Sequence, residues 1–153
     1  MAETQIGLCV SENIWLAPNP ANKCFGCGGA SDAGMRLTFE QDNENRRIVG
    51  KFVLGDRYQG GGGMLHGGII ALLLDEAMGK VSRFRDALAV TAEMNIDFLK
   101  PIRVDQEIVV EAFETAQRGR NLFHMGEIRD SAGQVLARGR ARFVILRTKE
   151  TAA

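Results

Sequence analysis

A chain of 153 residues can bury one sizeable core, and 45% hydrophobic with 25% charged residues is a globular balance rather than that of a disordered, fibrous or membrane chain. Nineteen lysines and arginines offset nineteen aspartates and glutamates, so the overall field draws in neither nucleic acid nor an anionic membrane, and neither is expected as a partner. Three cysteines make no disulfide scaffold, the first 24 residues lack the pattern of an export signal, and no apolar run is long enough to span a bilayer. The expectation is a cytoplasmic chain with reduced thiols.

Residues 1–34, with Pro18, Asn19, Pro20, Asn22, Gly26, Gly28 and Gly29, read as an irregular lead-in to a single domain spanning residues 1–153, with one short helix around residues 12–16. Cys24 and Cys27 form a C-x-x-C pair there. Cys9 is the only other cysteine and no second pair or H-x-x-x-H follows, so no metal is expected.

Residues 35–40 and 47–54 read as strands joined by the polar turn 41–45. A glycine run, Gly60 to Gly63, then leads into His66-Gly67-Gly68 and a segment reaching about Arg83 that is apolar on all sides, the mark of a buried helix. Four strands follow, at residues 89–99, 107–115, 121–129 and 135–146. In the last of these Val135, Ala137, Gly139, Ala141, Phe143 and Ile145 share one face, while Arg138, Arg140 and Arg142 make the other basic. Strict alternation in 89–99 sets Thr91 with Glu93, Asn95 and Asp97, opposite the apolar Val90, Ala92, Met94, Ile96 and Phe98. This order predicts an α+β fold: an antiparallel sheet of about six strands wrapped around a central buried helix.

Chemistry concentrates at that helix. Its first-turn N–H groups are free to meet a developing oxyanion, and glycines at 67 and 68 let a substrate approach the backbone, although the same glycines would also serve a tight strand-to-helix connection. His66 could equally cap or pack. Asp75 and Glu76 lie mid-helix, where a buried carboxylate needs a partner or a function; they point about 100° apart, and periodicity does not choose between them. Gly67 and Asp75 are separated by about 12 Å along one helix axis. A reacting carbonyl needs both an oxyanion donor and its attacking group at about 3 Å. Two helices packed antiparallel across a two-fold axis would bring Gly67 of one chain beside Asp75 of the other.

With these residues in view, the chain resembles the hotdog-fold acyl-CoA thioesterases, particularly the phenylacetate-pathway group. The matching stretches are Cys24-Phe25-Gly26-Cys27-Gly28 with Gly34-Met35-Arg36-Leu37, then His66-Gly67-Gly68 with Asp75 nine residues after the histidine, then Asn95 to Pro101. The resemblance implies hydrolysis of an acyl-CoA with no cofactor, coenzyme A being part of the substrate. Asp75 would be general base or nucleophile, the Gly67 N–H the oxyanion donor with His66 beside it, and Thr91 would help to position the attacking water. The family's Asn or Gln seven residues before the oxyanion glycine falls on Gly60, with Gln59 one place off. Gly68, Asn95, Arg138 and Arg140 are the candidate substrate contacts, the arginines for coenzyme A phosphates. A homodimer, and from it a dimer of dimers, is expected. Two alternatives stay open: a dehydratase or hydratase acting on thioester-bound acyl groups, and a non-catalytic acyl-CoA-binding domain.

Overall fold

The computed structural model describes residues 13–149. Seven strands form one antiparallel sheet: β1 (Ile14–Leu16), β2 (Phe39–Asp42), β3 (Arg47–Val53), β4 (Ala87–Phe98), β5 (Glu107–Arg118), β6 (Asn121–Asp130) and β7 (Val135–Thr148), in the spatial order β1-β2-β3-β5-β6-β7-β4. One long helix, α1 (Gly67–Val81), packs against β3, β4, β5, β6 and β7 and carries the centre of the core. Its apolar sides are accounted for by Ile70, Leu73, Leu74, Ala77, Met78 and Val81, all buried. The hotdog architecture is therefore present. Among the described residues no helix is long and apolar enough to cross a membrane.

The lead-in departs from expectation in two places. Residues 14–16, expected at the end of a short helix, pair instead as a strand, with Trp15 opposite Glu40 of β2. Pro18 and Pro20 leave no room for a helical turn, while the edge of β2 offers unpaired backbone groups; Glu12 lies outside the described residues. Residues 35–38, expected to begin β2, are captured by the lead-in: the Met35 and Leu37 N–H groups donate to the Phe25 and Gly26 carbonyls at 2.8 and 2.9 Å.

Elsewhere local chemistry sets the turns. Asp42 Oδ1 accepts the Asn45 N–H at 3.0 Å to close the β2–β3 hairpin. Asp130 Oδ1 accepts from both Ala132 and Gln134 between β6 and β7. α1 lies close on the sheet where Gly126 of β6 faces Gly139 of β7. A Cβ at Gly126 would stand 3.2 Å from Leu74 and Met78 side-chain carbons, and one at Gly139 would stand 3.0 Å from Met78 Cε. His124, buried beneath the helix, donates through Nδ1 to the Met78 carbonyl at 2.7 Å. That carbonyl belongs to the last turn of α1, where helix carbonyls begin to run short of intrahelical donors.

β4 is the edge that matters for function. It is 12 residues long, and its outer side has no strand partner among the described residues. Pairing with β7 passes from Thr91↔Phe143 to Glu93↔Arg142, so Ala92 is an extra residue, a β-bulge. The bulge resets the alternation. Thr91 stands opposite buried Phe143 and so faces α1, together with Ala89, Met94 and Ile96, whereas Glu93, Asn95 and Asp97 face outward.

Candidate active site

The start of α1 is built by a loop that folds back on itself. The His66 N–H donates to the Tyr58 carbonyl at 2.9 Å, Gly60 to Met64 at 2.8 Å, and Leu65 to Ile102 at 2.7 Å. Gly62 and Gly63, at φ 60° and 78°, make the reversal that other residues resist. His66 is the N-cap, its backbone extended and its Nδ1 accepting the Gly68 N–H at 2.8 Å. Ile69 and Ile70 both donate to the His66 carbonyl. The Gly67 N–H is therefore the first-turn donor left without an acceptor among the described residues, at an exposed position beside the Phe98 ring. Phe98 went unassigned in the sequence. Its signals there were a place on the apolar face of 89–99 and membership of the Asn95 to Pro101 stretch.

Two turns along the same helix, Asp75 is half-buried, and its Oδ1 accepts the Thr91 hydroxyl at 2.7 Å. Strict alternation had turned Thr91 away; the bulge at Ala92 turns it in. The second carboxylate oxygen has no hydrogen-bond partner among the described residues. Glu76 points elsewhere, toward the lead-in: Cys24 Sγ lies 3.4 Å from its Oε1 and Lys80 Nζ lies 3.5 Å from its Oε2. The two neighbouring carboxylates thus leave the helix in different directions, Asp75 on the β4 side and Glu76 against the C-x-x-C. Burial, reinforced by the Glu76 carboxylate, pushes the Cys27 thiol up to about 11.

The other candidates fall into two groups. Gln59 is exposed and bridges Leu65 through its backbone, and a Cβ at Gly60 would come 3.1 Å from His66 Cα, so a longer side chain at position 60 would press on the His66 backbone. Asn95, Arg138 and Arg140 lie on the outer face of the sheet, away from Asp75. Arg138 pairs with Glu127 at 3.0 Å and Arg140 with Asp97 at 3.3 Å. Asn95 and Arg140 do share a shallow cleft there with Glu93, Phe123 and Arg142. The structure thus brings together Asp75 with Thr91, and His66 with Gly67, Gly68 and Phe98, and sets the arginines apart from both.

Residues 62–137 match the model of the thioesterase superfamily, a span that includes Gly67, Asp75 and Thr91. The chain belongs to the hotdog-fold thioesterase superfamily. The acyl-coenzyme A thioesterase THEM4 of Rattus norvegicus is 34% identical over 90 residues, which cover 59% of this chain and 39% of that protein. This member of the superfamily therefore matches well under half the length of that curated relative. Among solved structures, the thioesterase superfamily protein RHA08564 superimposes with a TM-score of 0.74 at 24% identity, covering 80% of this chain and 60% of that one. The PaaI protein of the E. coli phenylacetic acid degradation operon does so with 0.64 at 20% identity, covering 67% and 75%. These likenesses carry the fold.

Proposed function

We propose that the chain hydrolyses acyl-CoA thioesters, with Asp75 as the catalytic carboxylate and the Gly67 N–H as oxyanion donor. The observation that carries this is the Thr91 hydroxyl on Asp75 Oδ1 at 2.7 Å, which orients the carboxylate on the open β4 side of the helix. As general base, Asp75 takes a proton from a water whose oxygen attacks the thioester carbon. The carbonyl oxygen becomes an oxyanion facing the Gly67 N–H at the positive end of α1; collapse breaks the C–S bond and the thiolate leaves to be protonated. As nucleophile, the carboxylate itself would attack and water would release the resulting anhydride.

Both groups sit on one helix about 12 Å apart, so a single chain does not complete the site. A homodimer with α1 antiparallel to its partner supplies the missing half twice over. The unpaired edge of β4 supports this arrangement, since it exposes Leu88 at 48%, Val90 at 45% and Phe98 at 57%. A second copy would cover that edge and pair its backbone. The superfamily match and the acyl-coenzyme A thioesterase name of its curated relatives agree with the chemistry.

The test is thiol release from a panel of aromatic and aliphatic acyl-CoA esters, with enoyl-CoA hydration run in parallel. Release of one thiol per acid formed is expected. Hydration without thiol release would move the chain to the dehydratase class, and binding without either would make it a sensor.

A further inference from the structure

The C-x-x-C pair plays no part in the hydrolysis above, and the sequence offered it no third ligand. Glu76, 49 residues beyond Cys27 in the chain, supplies one: a Sγ from each cysteine and a Glu76 carboxylate oxygen all lie within 4.8 Å of one another, and all three residues are half-buried. We propose that Cys24, Cys27 and Glu76 hold a thiophilic divalent ion of the zinc type that fastens the lead-in to α1.

Three features of the cluster support it. The loop is shaped around the carboxylate: a Cβ at Gly26 would stand 2.5 Å from Glu76 Oε1, and the turn is held by Asn22 Oδ1 accepting the Cys24 N–H and by the Gly28 N–H on the Cys24 carbonyl. The two carboxylate oxygens divide their partners, Oε1 facing the sulfur of Cys24 and Oε2 facing Lys80, so a metal on the sulfur side leaves the lysine contact in place. Charge also balances. Two thiolates and one carboxylate against Lys80 leave two negative charges, which one divalent cation neutralises. Two sulfurs and one oxygen form a set that zinc accepts, with a further position for water. The fastening matters because residues 17–38 have almost no regular structure and lie against the helix that bears Asp75.

The full-length, reduced, metal-stripped protein would be titrated with Co2+ and then Zn2+. A thiolate-to-cobalt charge-transfer band saturating at one equivalent, abolished by Zn2+, is expected, with proton release and a rise in Tm on binding. Cys27→Ser should lose the band and Cys9→Ser should keep it. Glu76→Gln, with wild-type circular dichroism, should bind at least about tenfold more weakly. No charge-transfer band in the wild type, a band that survives Cys27→Ser, or one that requires Cys9 would each overturn the proposal.

Discussion

Gly67→Pro isolates the oxyanion donor from everything else at the start of α1. Proline suits a first helical position, because the N–H it lacks has no intrahelical acceptor and its fixed φ is already helical. The residue before a proline must be extended, and His66 is, at φ −61° and ψ 135°. A Cβ at position 67 would meet only the Phe98 ring, at 3.6 and 3.8 Å, an ordinary contact. The cap between His66 and Gly68 does not involve the lost N–H. The variant should therefore fold, dimerise and lose one hydrogen bond to the transition state. Removing one such donor costs about 2.7–4 kcal/mol, or about 10²–10³ in kcat. Thiol release would be followed under saturating acyl-CoA, with Gly67→Ala as the companion that adds a Cβ but keeps the N–H. The proline variant should fall about a hundredfold or more below the alanine variant at matched Tm. Equal turnover in the two folded variants would refute the assignment of the Gly67 N–H as oxyanion donor.

Thr91→Val keeps the shape of the side chain and deletes the hydroxyl on Asp75; a hydrogen bond to a charged group is worth about 1.5–3 kcal/mol, so kcat should drop about tenfold or more, and Thr91→Ser should restore it. Mixing Asp75→Asn with Gly67→Pro, each nearly inactive alone, should recover about a quarter of wild-type activity through hybrid dimers that hold one intact site; no recovery after verified subunit exchange would place both groups of a site in one chain. Acid should destabilise the fold in two stages, followed by denaturant titration across pH. Burial holds His124 below its usual 6.5, so the unfolded chain binds the extra proton and stability falls as pH drops through and below that value. The Arg85 contact holds Glu114 below its usual 4.5, so its contribution is complete above that pH and is lost as pH falls through the lower folded value. Glu114→Gln should flatten the more acidic stage.

The sheet and its helix were legible because their signals are local: alternation in β7, the all-round apolar run of α1 and the Asp and Gly turns. The helix-start glycines of His66-Gly67-Gly68 were legible for the same reason, whereas the weight on their spacing to Asp75 came from the family resemblance. What the sequence hid depends on register and on distance along the chain. Thr91 was misassigned by strict alternation because one extra residue, Ala92, changes the face of everything before it. The choice between Asp75 and Glu76 was open because both project from the same turn; what tells them apart in the fold is their partners, Thr91, 16 residues after Asp75, and Cys24, 52 residues before Glu76. β1 was missed because three residues carry no period, and only the waiting edge of β2 makes them a strand.

The most direct test of the hydrolytic site is kcat for thiol release by Asp75→Asn beside wild type, with folding checked by circular dichroism and assembly by light scattering. The substitution keeps the size of the side chain and its hydrogen bond from Thr91 while removing the basic, nucleophilic carboxylate. A fall of about 10²–10⁴ in a folded dimer is the expected result. Turnover close to wild type would contradict Asp75 as the catalytic group and direct attention to the water and base of a different site.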